Sequence, residues 1–377
     1  MNDAVIEISP NDPPTWFWAE YEVLDWSNLL LPSSKHIMNA YCIRKGLIRK
    51  AQLALNIQKY MSKFPDSTLA KHVPETYVLQ VDHVDYLDEA LNECFEVERD
   101  LLRNASLEVA QRKKFILKPS LANKGVGIHL IDDRQQLENI LQGYQDQADA
   151  FYDRDDDEGM NPGFQGWHEW VVQAYMDRPL LLKEMGDRKF HIRAYMLLVG
   201  RCKAYLFTEM LALFAQDPYP QHQHSTDHLS AHLTNTCLLE LTQDQDEEKY
   251  VRLLADVVTD PTRYTCWIDQ MAEILQELMK ATVSEVTTFQ PRENAFELFG
   301  LDFVVDEEER LFFLEANAFP DFKQTGHTLG KVIQRLFDGS VDIARHELLG
   351  EGKVEDESME RFRLVYDYQK DSMSSHK

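Results

Sequence analysis

The spacing of apolar positions changes period along the chain, and each change marks an element. From 44 to 63, Leu47, Ile48, Leu53, Leu55, Ile57 and Met61 fall at helical spacing, which predicts a helix. In "FILKPSLANKGVGIHLID" (115–132), two apolar runs flank Pro119, Gly125 and Gly127, the pattern of a hairpin around a glycine-punctuated loop. "WVVQAYM" (170–176), "RKFHIRAYMLLV" (188–199) and "KAYLFTEML" (203–211) read as strands. Residues 270–286 return to helical spacing at Ile274, Leu275, Leu278 and Met279, and 298–317 reads as a β-hairpin turned by its acids. Strands and helices interleave, so the expected class is α+β. No internal repeat is present. Residues 149–166, rich in Asp and Gly, are expected to be a surface insertion, and the polar segment from Glu351 onward a partly ordered tail.

A length of 377 residues, 44% of them hydrophobic, is ample for two or three packed layers. A formal net charge of -25 repels polyanions at long range, which argues against direct nucleic-acid binding and against acidic protein tails. Against that background "RKGLIRKAQLALNIQKYMSK" (44–63) stands out as basic: Arg44, Lys45, Arg49, Lys50, Lys59 and Lys63 are either a docking surface or a solvated helix face. No apolar run approaches about 18 residues, and the N-terminus lacks the basic-then-apolar order of a signal peptide. Neither a membrane span nor secretion by that route is expected. The five cysteines are scattered, without a CxxC pair, so neither a disulfide framework nor a zinc site is indicated. A reducing cytoplasm is the simplest compartment.

The candidate chemistry begins at "FLEANAFPDF" (313–322). On a strand Glu315 and Asn317 share a face. The hairpin reading brings Asp302 beside them, and three oxygen-bearing side chains suit Mg²⁺; a hydrogen-bonded structural trio is the alternative. Lys118 on a strand, and Lys124, Gly125 and Gly127 in a loop, could meet phosphate, because glycine lets backbone N–H groups approach oxyanions. The same loop also occurs in ordinary hairpins. Lys189, His191 and Arg193 fall on one strand face, as a cation row or as ion-paired surface residues. His222, His224, His228 and His232 are spaced too loosely for a specific metal signature. Neither a nucleophile elbow nor a dinucleotide-binding glycine motif occurs.

Taken together, "CIRKGLIRK", "LKPSLANKGVGI", "VVQAYMDRPLLL", "RKFHIRAYMLLV", "HLTNTC" and "FELFGLDFVVDEEERLFFLEANAFP" resemble, in order over roughly 40–320, the tubulin-tyrosine-ligase-like family of ATP-grasp enzymes. The resemblance implies an ATP-grasp architecture with nucleotide between two lobes. It also implies a domain plan: a truncated lead (1–44), a central lobe (45–176), a C-terminal lobe with the Mg²⁺ site (177–350) and a polar tail (351–377). By the same resemblance Lys45 and Lys118 would contact ATP phosphates, Lys124 to Gly127 would cover them, and Gln173 to Met176, with Tyr175, would form the adenine hinge. Lys189, Arg193 and Asn235 would serve catalysis, and Asp302, Glu315 and Asn317 would hold the metal. The family's reaction is ATP-dependent ligation, in which a carboxylate becomes an acylphosphate that an amine attacks.

Three departures qualify the match. His191 stands where the family usually has Asp. Leu213 stands where tubulin tyrosine ligase itself places an arginine for the acceptor tail, and leucine makes no bidentate carboxylate contact. Only about 44 residues precede the first motif, so the chain is expected to be the C-terminal domain of a longer protein. Two readings remain at this level: a ligase acting on a protein other than the tubulin tail, or a silent domain that holds a partner. A P-body-associated fungal member of the family carries such a domain behind a nucleotidase-like one, which points the second reading to mRNA-decapping proteins and P-bodies.

Overall fold

The computed structural model describes residues 15–30, 36–122, 126–152, 167–220, 229–234, 249–318, 329–351 and 356–374, with Pro320, Phe322 and Val354. Among the described residues twelve strands make three sheets. β1 (Trp16–Phe17) and β2 (Ile37–Met38) form a short parallel pair. β3 (Thr76–Gln80), β4 (Phe115–Pro119), β5 (His129–Ile131) and β6 (Glu169–Ala174) form an antiparallel sheet in the order β3-β6-β4-β5. The largest sheet contains β7 (Phe190–Val199), β8 (Lys203–Phe214), β9 (Val251–Leu253), β10 (Phe296–Val305), β11 (Leu311–Ala318) and β12 (Phe362–Asp367). Its order is β11-β10-β7-β8-β12, with β9 also paired to β8.

β7 shows why this sheet can hold both a core and a site. Phe190, Ile192, Ala194, Met196 and Leu198 enter the larger core on one face, where the Lys50–Lys63 and Pro261–Val283 helices cover them. On the opposite face the first half presents His191 and Arg193, while Tyr195, Leu197 and Val199 further along pack with the Gly330–Leu349 helix. The small sheet has its own core against the Phe95–Asn104 and Arg134–Tyr152 helices, through Phe115, Leu117, Trp170 and Val172. Its other face, with Lys118 and Gln173, looks into the cleft between the sheets.

Strands 170–176, 188–199 and 203–211 and the hairpins at 115–132 and 298–317 form where the alternation predicted them. Two groupings change. Leu47, Leu53, Ile57 and Leu69 join the core of the large sheet, while Lys50, Ala51 and Gln58 bond to the small sheet and the loop after β4, so residues 45–72 bridge the two sheets. The segment expected as a polar tail contains β12, which adds antiparallel to β8 with Val365 and Tyr366 buried. Phe362 lies against Gly339, where a Cβ would come within 2.6 Å of its ring. The tail reading failed because the six residues of β12 are a short apolar island inside an otherwise polar segment. Of the expected insertion, 153–166 lies outside the described residues.

The lead into the fold is fastened by charge. Arg44 and Glu297 are both buried and paired at 2.5 Å; Glu297 also accepts the Tyr41 backbone N–H at 2.9 Å, and the Tyr21 ring lies 4.0 Å from the guanidinium. Removing one partner of a buried pair strands the other's charge. Arg44→Met should therefore lower unfolding stability by about 3–5 kcal/mol, and adding Glu297→Leu should recover most of that loss. Urea denaturation of the single and double variants checks this; a double variant no more stable than the single would mean that packing, not charge, sets the cost.

Candidate functional site

The β10–β11 hairpin sets Asp302 opposite Glu315 and Gly300 opposite Asn317, while β7 sets Arg193 opposite Asp302. A bulge follows Asp302, because Phe303 pairs with Phe313 and leaves Leu314 as the extra residue of β11. Phe313 and Ala316 remain in the core, yet Leu314 and Glu315 both line the cleft. A bulge re-aims one side chain in this way, and here it delivers an apolar wall and a carboxylate from adjacent positions.

Arg193 grips Asp302 with two bonds, Nε to Oδ1 at 2.6 Å and a terminal nitrogen to Oδ2 at 3.2 Å. Burial opposes the guanidinium charge, but the Asp302 carboxylate outweighs it and holds the arginine above its ordinary range. Asn317 donates to Glu315 at 3.3 Å and lies 3.5 Å from the far oxygen of Asp302. Lys118 stands 3.8 Å from Glu315 and donates to Gln173 Oε1 at 3.1 Å; Gln173 in turn donates to Thr76. Although burial alone would raise the Glu315 carboxyl, Lys118 and Lys50 with the Asn317 hydrogen bond hold it well below the usual carboxylate range. Burial lowers Lys118. The outcome is a chain that runs cation, carboxylate, amide, carboxylate, cation across the cleft.

Beyond Lys118 the cleft narrows to a slot walled by Ile116, Ile128, Met176, Val304 and Leu314. Lys189 sits at its edge, 4.0 Å from the centre of the Tyr175 ring, and burial brings its ammonium down to about 7 despite the nearby Asp177. The Tyr175 hydroxyl is 2.7 Å from His232 Nδ1. His191 is bonded through Nδ1 to the Thr234 hydroxyl at 2.6 Å, with Nε2 3.6 Å from Asp302. Burial, only partly offset by Asp302, lowers its imidazole to about 4, so it is neutral at pH 7.

Of the residues expected from sequence, Lys118, Gln173, Tyr175, Met176, Lys189, Asp302 and Glu315 line one cleft, and Arg193 and Asn317 bond to its carboxylates. Gly127 has a φ of 72°, and a Cβ there would lie 2.8 Å from both Pro119 and the Tyr144 hydroxyl, so this turn of the loop demands glycine. Lys124, Gly125 and Asn235 lie outside the described residues, as do His222, His224 and His228. Lys45 is exposed and lines neither cavity of the cleft, whereas Lys50, which the sequence reading left on the basic face, points into it. The basic segment is thus divided: Arg44 is buried against Glu297, Lys50 serves the cleft, and Lys59 pairs with Glu285 at 2.6 Å. Thr234 was missed, and His232 was read only as one of a loose group of histidines, since only the fold brings them to His191 and Tyr175.

Among the described residues no cluster of three or more His, Cys, Asp or Glu could hold a metal. Two carboxylates and one amide do converge, and their oxygens fit Mg²⁺, which retains water and phosphate as its other ligands. Asn317 would join by turning its amide oxygen inward.

A family profile described as the tubulin-tyrosine ligase family matches residues 32–349. A probable tubulin–tyrosine ligase of Schizosaccharomyces pombe is 35% identical over 87% of this chain and 81% of its own length. Another from Saccharomyces cerevisiae, Pby1, is 35% identical over 93% of this chain, which spans 48% of that relative. The crystal structure of the C-terminal domain of Kluyveromyces lactis Pby1, described as an ATP-grasp enzyme interacting with the mRNA decapping enzyme Dcp2, superposes with a TM-score of 0.66. It is 30% identical, and the match covers 94% of this chain and 88% of that one. The fold is that of the ATP-grasp enzymes.

The neutral His191 sets a pH dependence. Between about pH 6.5 and 4 the unfolded chain binds a proton here that the folded chain does not, so stability falls as pH falls through that window. The loss amounts to about 3 kcal/mol at 1.36 kcal/mol per pKa unit. His191→Gln should flatten that part of the stability profile, measured by urea midpoints from pH 7.5 to 4.

Proposed function

Because this chain belongs to the tubulin-tyrosine ligase family, we propose that its cleft binds Mg²⁺-ATP and joins an amine to a protein carboxylate. The observation that carries this reading is the chain Arg193–Asp302–Asn317–Glu315–Lys118 beside an apolar slot. Unliganded, Glu315 and Lys118 face one another at 3.8 Å; each is also the partner that one half of a metal–nucleotide complex would require. The slot suits a purine, with Tyr175 and Met176 at its hinge. Lys118, Lys50, Lys189 and Arg193 would face the phosphates, and loop residues 124–127 would cover them. Asp302, Glu315 and Asn317 would hold Mg²⁺, which supplies charge neutralisation at the transferring phosphoryl group.

The ligation would proceed in two steps. An acceptor carboxylate oxygen takes the γ-phosphoryl group and ADP departs; the amine then attacks the carbonyl carbon and phosphate leaves, giving an amide. Preorganised cations lower the cost of charge spreading in the first step. Arg193, held by both oxygens of Asp302, is oriented before substrate arrives, and Asn235 would assist there.

The acceptor is a separate question. Leu213 lies directly beside His191 on the neighbouring strand and is buried, so this wall offers an acidic tail no cation. We therefore place the acceptor outside the tubulin tail. A second reading, a domain that holds a partner from the decapping machinery in cytoplasmic P-bodies, is favoured by the description of the Kluyveromyces relative as interacting with Dcp2.

Mg²⁺-ATP at a hundred times its dissociation constant should stabilise the fold by about 2.7 kcal/mol. A thermal-shift titration should show the rise, and Glu315→Gln should reduce it while the variant stays folded; a flat response with a flat calorimetric trace would remove the nucleotide reading. Detyrosinated tubulin incubated with the protein, ATP and labelled tyrosine should incorporate no label above blank. Labelling abolished by Glu315→Gln would reverse the acceptor assignment.

A further inference from the structure

Behind the nucleotide slot lies a second cavity of about 230 Å³, between the Lys50–Lys63 helix, β3, β6 and β11. The proposed reaction uses only the groups at its inner end. Its body is apolar, walled by Leu53, Ile57 and Met61 of the helix and by Val73, Val171 and Phe313 opposite. Its inner end is charged: Lys50, Lys118, Gln173 and Glu315 stand there, and the last three also line the nucleotide slot. The two chambers therefore share a wall made of the very groups that would grip phosphate and metal.

The chemistry of this lining selects an occupant. An apolar cavity of roughly 150 Å³ already holds benzene, so this one is sized for an aromatic ring or a short alkyl chain with a small polar head. Two ammonium groups face one carboxylate at the inner end, leaving an excess of positive charge. Lys118 is buried, with one hydrogen bond at 3.1 Å and one distant carboxylate at 3.8 Å, and a lysine ammonium can donate three. At the outer end Glu75 is already paired with Lys113 at 2.6 Å, so the mouth offers no free anion to bind a cationic head. We propose that this cavity is a ligand site for a small apolar carboxylate, of aryl- or alkyl-carboxylic acid type, whose carboxylate engages Lys118 and Lys50. Because one ammonium cannot serve two anions fully, such a ligand opposes nucleotide at the neighbouring slot. The binding claim stands on the cavity alone; the opposition rests on the nucleotide reading above.

The probe is 3-phenylpropionate, titrated calorimetrically into the whole chain without nucleotide, beside 3-phenylpropanol and 3-phenylpropylamine. The acid should bind once per chain, with the alcohol and the amine at least tenfold weaker. Ala54→Phe fills the cavity from the helix, and Ala70→Phe, at an exposed rim position, blocks it with less risk to folding. Both should lose the acid while keeping the thermal shift with Mg²⁺-ATP. Saturating acid should weaken Mg²⁺-ATP binding to the unaltered chain by about tenfold, within the usual range of coupling between sites. Absent binding, equal binding of all three probes, or undiminished binding to both filled variants overturns the site. Acid binding with unchanged ATP affinity overturns the opposition. Should Mg²⁺-ATP fail to bind even without acid, the nucleotide reading falls, and the acid titration still decides the cavity.

Discussion

The two-pronged bond between Arg193 and Asp302 is the contact on which the cleft depends. It lies where β7 meets β10, at the centre of the large sheet, and both partners are largely withdrawn from water. Both oxygens of Asp302 are held by the Arg193 fork, which fixes the orientation of the carboxylate. Its outer oxygen is then available to Asn317, which passes the order on to Glu315 and from there across the cleft to Lys118. The two sheets thus meet through electrostatics at the very place where their apolar cores stop.

That division of labour explains what could be read from sequence. The period-two pattern of "RKFHIRAYMLLV" revealed both a buried face and a polar one, and "LDF" with "LEAN" revealed oxygen donors in register. These are local properties of strands. The bulge at Leu314 was not legible, because inserting one residue leaves the apolar count unchanged while altering which side chains face inward. Lys45 and Lys50 illustrate the limit more sharply. Both belong to one basic run, but the helix breaks at Arg49 between them, and only that break and the position of β11 decide which of them reaches the cleft. His232 and Thr234 come from a polar stretch with no periodicity at all; their partners, Tyr175 and His191, lie far away in sequence.

The cleft also spends charge in an unusual way for so acidic a chain. Lys118 and Lys189 are buried within a protein of net charge -25, and Arg193 beside them is largely withdrawn from water. Long-range repulsion slows the approach of anions, whereas short-range contacts decide their residence. Raising the salt concentration would screen the first effect and spare the second, since buried pairs are little affected by mobile ions. Selectivity among anionic ligands is then set at close range, by the shape of the slot and the fork of Arg193.

β12 carries a consequence for biosynthesis. It supplies the outer partner of β8 along Phe207 to Lys203, and its Phe362 seats against Gly339 on the helix that covers the same sheet. Translation runs from the N-terminus, so β8 emerges long before residues 362–367 exist. During that interval the edge of β8 offers unpaired backbone groups to any neighbouring chain, the condition that invites strand-to-strand aggregation. The nascent polypeptide therefore passes through a stage in which its longest strand is complete and one of its flanks is bare, and a chaperone that recognises extended backbone would have its natural target there.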